Sequence, residues 1–321
     1  MEAAEIKNFS KMVKDNIGKV IVGKDDVIDL VLVSLFCSGH VLLEDVPGLG
    51  KTVLAKSLAR SVDCGFRRIQ FTPDLLPSDL TGISIYNQKE SDFVFRMGPL
   101  FTNIVLADEI NRATPRTQSA LLECMEERQI TVEGDTRKLD SPFFVIATQN
   151  PLETQGTFPL PEAQMDRFFM RLSIGYPDIE QGLAILNRFE SEEPFDDLGH
   201  VATASDIIEV QKDMKNVSIS DDVKRYIMDI VEATRNSTKL ALGLSPRGSL
   251  ALMRAARAYA AINGRDFVIP EDVKKVCVSV TAHRVMLKGH AMSSGTRGTI
   301  SAIEEILASV KTPTEEIERE D

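Results

Sequence analysis

The chain has 321 residues, enough for two domains or for one large domain with an appendage. Its 43% hydrophobic content can fill a sizeable core, and 37 Lys and Arg against 48 Asp and Glu leave a net charge of −11, a poor electrostatic footprint for a dedicated nucleic-acid binder. The four cysteines, Cys37, Cys64, Cys124 and Cys277, lie far apart with no C-x-x-C pair, so reduced thiols and a cytoplasmic setting are the expected reading.

The opening residues, MEAAEIKNFSKMVKDN, carry charges throughout and lack the apolar stretch of a signal peptide. The most apolar run, 27–43, is interrupted by Asp29, Ser38, Gly39 and His40. It is too short and too polar to cross a bilayer, and reads as a buried helix, a glycine stop and a buried strand. From Gly39 to about Arg171, short apolar runs alternate with helical stretches: 40–44, 67–71, 103–108, 143–148 and 167–172. Such runs predict strands buried on both faces of a parallel sheet, hence an α/β sandwich. Two stretches interrupt the alternation. The segment 72–99 is long and turn-rich, and 128–139 alternates around Glu133-Gly134-Asp135 as a β-hairpin does. After Pro177 the strands are expected to stop, with helices at about 178–190, 203–215, 219–235, 246–262 and 270–281. Asp178, Ser205 and Ser220 are placed as N-caps, and Pro270 suits a first helical turn. The expected division is therefore a 1–177 nucleotide-binding core and a 178–321 helical domain ending in a solvated tail, TPTEEIERED.

The chemistry concentrates at three strand ends. Strand HVLLE, loop DVPGLG and helix KTVLAKSLAR form the context of a phosphate loop, G-x-x-x-x-G-K-[ST], except that Asp45 stands at the first glycine. Gly48 and Gly50 let the backbone N–H groups turn inward toward phosphate, and the helix beginning at Lys51 adds its positive end. Lys51 would reach the β- and γ-phosphates, and the Thr52 hydroxyl would bind Mg²⁺. An Asp45 side chain can point away at the strand's mouth, whereas any side chain at Gly50 would collide with phosphate. NIVLADEI ends in Asp108-Glu109: Asp108 would hold the Mg²⁺ and Glu109 would polarise the attacking water. That pair is weak alone and strong beside a phosphate loop, provided the two strands lie side by side. FFVIATQN ends in Asn150, whose amide would hold that water or sense the γ-phosphate, or else is a turn residue before Pro151.

These residues resemble the AAA+ ATPases, and among them the MoxR family. The similar blocks are LLEDVPGLGKT, QFTPDLLPSDLTG, the stretch from FRMGPLF to ITVEG at 95–134, FFVIATQNP, GTFPLPEAQMDRF and LSPRG. The resemblance spans about Ile21 to Arg284 and tolerates variation at the first glycine. It implies a three-layer α/β core with a helical lid, and ATP and Mg²⁺ as cofactors. It extends the nucleotide-contacting set to Val22, Gly23, Pro47, Leu49 and Val53, although VIVG at 20–23 is also what a buried turn looks like. The stretches 73–98 and 128–139 match the family's helix-2 insert and the hairpin before sensor 1. Arg167 matches the arginine finger that reaches a neighbouring subunit's nucleotide, with Arg171 close enough to share the role, and Arg247 matches the lid's sensor 2. Arg112 and Arg116 fit subunit contacts or a solvated face equally, and His40, His200, His283 and His290 show no ligand spacing.

The resemblance implies a homo-oligomeric ring, hexameric in expectation, that remodels client proteins or helps insert their cofactors, often with von Willebrand A domain partners. A nucleic-acid motor is the alternative. It is disfavoured because the 128–139 hairpin sets Glu133, Asp135 and Asp140 against only Arg137 and Lys138 over the stretch TVEGDTRKLD. A nucleotide-switched scaffold without turnover is disfavoured by Glu109, Asn150 and Arg167.

Overall fold

The computed structural model describes residues 1–89, 91–151, 156–190, 194–289 and 295–313. His290 and residues 314–321 of the expected tail lie outside them. In chain order the first elements are α1 (Ala3–Gly18), α2 (Asp25–Phe36), β1 (Val41–Glu44), α3 (Lys51–Ser61), β2 (Phe66–Gln70), α4 (Pro77–Thr81), β3 (Gly82–Asn87), β4 (Asp92–Met97) and β5 (Ile104–Asp108). They continue as α5 (Pro115–Glu127), β6 (Gln129–Val132), β7 (Asp135–Lys138), β8 (Phe144–Gln149), α6 (Glu162–Met165), β9 (Met170–Leu172), α7 (Ile179–Arg188) and α8 (Ala204–Asp213). The last are α9 (Asp221–Asn236), β10 (Leu240–Leu242), α10 (Pro246–Ile262), α11 (Pro270–Thr281), β11 (Met286–Leu287) and α12 (Gly295–Ser309).

The expected parallel sheet is present as β2-β5-β8-β1-β9, every neighbouring pair parallel. All five carboxyl ends therefore meet at one edge, where ligands of open α/β sheets bind. β1, β5 and β8 are apolar and buried along nearly their whole length. β2 departs from the expectation of burial on both faces. It is an edge strand that exposes Arg67, Arg68 and Gln70 while Ile69 is buried. A strand with one free edge tolerates charged side chains that a central strand does not. A second correction concerns β1 and β5, which are not adjacent, because β8 lies between them. The interposed strand carries Asn150 past its end, so it stands between the phosphate loop and the acidic pair.

The two interruptions are antiparallel hairpins, β3–β4 and β6–β7. The second turns through Glu133 and Gly134, at φ 54° and 91°, the left-handed pair that a two-residue hairpin turn requires. The Arg137 guanidinium lies 4.4 Å from the Phe95 ring and so ties one hairpin to the other.

The chain forms two compact units, Asn8–Lys212, and Met1–Lys7 with Asp213–Asp321. The division thus falls at the end of α8, between Lys212 and Asp213, rather than at the expected Pro177. The reason is local anchoring. Arg60 donates to the carbonyls of Phe195 (2.8 Å) and Asp196 (2.7 Å), Ser61 O accepts from the N–H groups of Val201 (2.9 Å) and Ala202 (3.1 Å), and Gln211 donates to Leu35 O (2.8 Å). These bonds fasten 195–211 to the sheet unit. The second unit packs α9, α10, α11 and α12, together with a short ribbon, β10–β11, that the expected end of strands at Pro177 did not include. Asp178 and Ser220 cap their helices as expected. Ser205 does not; it lies inside α8, and Thr203 exchanges hydrogen bonds with Asp206 ahead of it. Among the described residues no helix is long and apolar enough to cross a membrane.

Candidate functional site

β1 ends at Glu44, and the 45–50 loop delivers the chain into α3. Gly48 and Gly50 have φ of 85° and 83°, left-handed values that L side chains avoid, so the loop needs glycine at both positions. Asp45, at the motif's first glycine, turns away from the loop's mouth. It is buried, and its carboxylate accepts from Ser173 Oγ (2.6 Å), Ile174 N (2.7 Å) and Gly175 N (3.3 Å) after β9. The side chain therefore ties the loop to the end of β9 and leaves the phosphate side clear. Lys51 Nζ donates to Asp45 O at 2.7 Å. Burial pushes the Lys51 pKa below its ordinary value, opposed by the negative charges of Asp45, Asp108 and Glu109.

One pocket brings together Pro47, Gly48, Gly50, Lys51, Thr52, Val53, Arg68, Gln70, Asp108, Glu109 and Asn150. Asp108 Oδ1 accepts from Thr148 Oγ1 at 2.6 Å, and the same hydroxyl accepts the Glu109 N–H at 2.8 Å. Glu109 sits in the left-handed region (φ 56°, ψ 52°), a conformation uncommon for a residue with a side chain and frequent at functional sites. Its Oε2 accepts from Gln70 Nε2 (2.8 Å) and Arg112 Nη1 (2.9 Å), so the carboxylate is held in place from two sides. Arg112 is thereby part of the site.

A second, apolar cleft adjoins the first and shares Gly48, Gly50 and Val53. It is lined by Val20, Ile21, Val22, Leu49, Ile174, Pro177, Ile185 and Phe189, among others, and its cavity volume is about 280 Å³, at the lower end of small-ligand sites. Gly23, at φ 64°, lies against α7: a Cβ there would stand 2.6 Å from the Gln181 side chain. Lys24 Nζ bonds Tyr176 O (3.0 Å), and Arg188 bonds the carbonyls of Gly18 (2.7 Å) and Lys19 (2.9 Å), which pins α7 beside the 18–24 segment. A flat apolar slot next to a phosphate loop can take a nucleoside base.

For a divalent cation the fit is good. Thr52 and Asp108 offer hard oxygen donors in one pocket. Among the described residues no three His, Cys, Asp or Glu cluster as a metal site, so a cation here would complete its shell from phosphate and water oxygens, as Mg²⁺ does.

Arg167 does not line this pocket, and Arg247 belongs to the other unit. Arg167 Nη1 donates to Leu122 O (2.8 Å) and pairs with Glu126 (3.1 Å) on the outer part of α5, with about a third of its side chain exposed. Arg247 is exposed on the first turn of α10, in the other unit. Arg171 is largely buried: its side chain is only 10% exposed and pairs with Glu44 at 3.6 Å. Sequence reading missed Arg68, Gln70 and Thr148. The first two were signalled by polar residues alternating along an otherwise strand-like run.

Comparisons with known proteins agree with this geometry. The family model for the ATPase family associated with various cellular activities matches residues 40–170, and the AAA lid domain model matches residues 232–306. Chaperone MoxR1 of Mycobacterium tuberculosis is 41% identical over 91% of this chain and 79% of its own. An uncharacterized protein of Bacillus subtilis, YeaC, is 50% identical over 93% of each chain. A crystal structure of a Cytophaga hutchinsonii protein, described as a candidate ATPase, superposes with a TM-score of 0.88 at 41% identity over 97% of both chains. With its phosphate loop, its acidic strand end and a lid match beyond them, the chain belongs to the MoxR family of AAA+ ATPases.

Proposed function

We propose that this protein hydrolyses ATP to ADP and phosphate with Mg²⁺, as a homo-oligomeric ring, and couples turnover to the remodelling of client proteins, von Willebrand A domain proteins among them. The observation that carries the reading is the convergence of Lys51, Thr52, Asp108, Glu109 and Asn150 in one pocket beside an apolar slot. The base would lie against Val22, Leu49 and Val53, and the backbone of Gly48 to Gly50 would cradle the phosphates. Thr52 and Asp108 would hold the cation, which supplies charge neutralisation at the phosphate oxygens when bound. Glu109, fixed by Gln70 and Arg112, would orient and deprotonate water, and Asn150 would position it. Arg247 would act from the lid and Arg167 on a neighbour's nucleotide. The name of the MoxR1 relative supports a chaperone-like role.

Lys51→Ala should abolish ATP binding in calorimetry with Mg²⁺. Glu109→Gln should keep binding within severalfold and lose at least about 10²-fold in turnover, the usual worth of a general base. Persistent hydrolysis in Glu109→Gln would transfer the base's role elsewhere; unchanged affinity in Lys51→Ala would remove the phosphate loop from the site.

A further inference from the structure

Arg68 has no role in the reading above, yet it lines the same pocket as Lys51 and Thr52. It stands on the edge strand β2, two residues before Gln70, whose Cα partner in the β2–β5 register is Asp108. From there its guanidinium reaches forward to Asp108 Oδ2 with two donors, Nε at 3.1 Å and Nη2 at 2.7 Å. Nη2 also donates to Gln70 Oε1 at 2.9 Å. A carboxylate oxygen offers two lone pairs. Both on Oδ2 are thus taken by Arg68, and one on Oδ1 is taken by Thr148. Only one lone pair, on Oδ1, is left for a cation or its water shell, and the guanidinium charge stands on the same carboxylate. Exposure is uneven across the pair: Asp108 is 13% exposed and Arg68 48%. The arginine can leave toward solvent; the aspartate cannot.

We infer that Arg68 is a built-in placeholder for the divalent cation, seated on Asp108 before nucleotide arrives and displaced when the cation binds. The inference rests on the proposed nucleotide site. A cation and the Arg68 guanidinium are two positive charges on one carboxylate, so each weakens the other's hold. The arrangement keeps Asp108 neutralised and correctly turned in the ligand-free protein, at the cost of some cation affinity. Release also frees Gln70 Oε1 while Gln70 Nε2 keeps its bond to Glu109, so the exchange occurs one side chain away from the water-orienting carboxylate.

The test uses Mn²⁺ as the probe, its free and bound forms separated by electron paramagnetic resonance, titrated into the full-length chain with ADP and without nucleotide. Arg68→Ala should tighten Mn²⁺ binding about two- to fivefold, the worth of one partly exposed ion pair. Arg68→Lys, which keeps the charge and loses the fork, should fall between the two. Adding Asp108→Asn should erase the gain and close a double-mutant cycle. Equal or weaker Mn²⁺ affinity in Arg68→Ala, or no Mn²⁺ binding in either arm, would overturn the inference. ADP affinity measured by calorimetry in EDTA separates the two readings: a wild-type chain that binds no ADP sinks the nucleotide site, while the nucleotide-free arm still decides the role of Arg68. Thermal melting checks each variant, and Arg68→Gln replaces the alanine variant if that one melts early.

Discussion

At the residue scale, His40 gives the sheet a pH dependence. Its ring is fully buried beside Phe143 and Phe144, Nδ1 accepts from Val145 N–H (3.0 Å), and Nε2 donates to Met125 O (3.0 Å). Burial, aided by Arg128, pulls its pKa down to about 3. The unfolded chain recovers a value near 6.5, so on acidification it takes up a proton that the folded form refuses. His40's share of stability is complete above about pH 7 and is lost as the pH falls through 6.5 toward 3. Between pH 7.5 and 5.5 the loss is about 1.4 kcal/mol. Denaturant unfolding at the two pH values should show His40→Gln losing about that much less than the wild type. Asp45 makes a different point at the same scale. The sequence places a carboxylate where the motif wants glycine, and position alone says only that it must point aside. Its three acceptor bonds to 173–175 come from residues some 130 positions away in the chain, which no local pattern encodes. The Arg68–Asp108 pair was hidden for the same reason, because it exists only once β2 lies against β5.

At the scale of elements, α3 joins two functions. Its first turn carries Lys51 and Thr52; its last carries Arg60 and Ser61, which hold 195–202. Asn16 strengthens the same end, donating to Ser61 Oγ (3.0 Å) and Gly199 O (2.8 Å). Arg60→Ala should therefore free this segment, with Phe195 becoming a site of faster chymotrypsin cleavage and stability falling by about 1 kcal/mol, since the lost bonds are exposed. ADP affinity should change little, because Arg60 sits at the far end of the helix from the phosphate loop. Helices were legible where caps and a one-sided apolar pattern agreed: α10 and α11 begin and end at the expected residues, with Pro at the first turn of each. The β3–β4 hairpin was read only as a turn-rich insertion. Both its faces carry exposed apolar groups, Ile83 and Val94 on one and Tyr86 and Phe93 on the other, so no alternation marks it. β10 and β11 are too short for any periodicity to show.

At the scale of the whole molecule, a ring would place Arg167 at a neighbour's nucleotide, and its position between α6 and β9, bonded to α5 and outside the lining of its own pocket, suits that role. It must first leave Glu126. Arg167→Ala should bind ATP and lose about 10³–10⁵ in rate. Mixed with Lys51→Ala subunits, roughly one interface in four pairs a competent nucleotide with a donated arginine, so some ATPase activity should return. Absence of recovery in rings shown by fluorescence transfer to be mixed would rule out action between subunits. The phosphate edge hangs on β8, the central strand, whereas the apolar slot is walled by α7, which has no buried residue. Amides of α7 should exchange with deuterium orders of magnitude faster than those of β8, because opening α7 exposes little apolar surface. Warming should then erase discrimination between adenine and other bases well before the sheet melts, leaving a chain that still grips triphosphate but no longer tells one nucleotide from another.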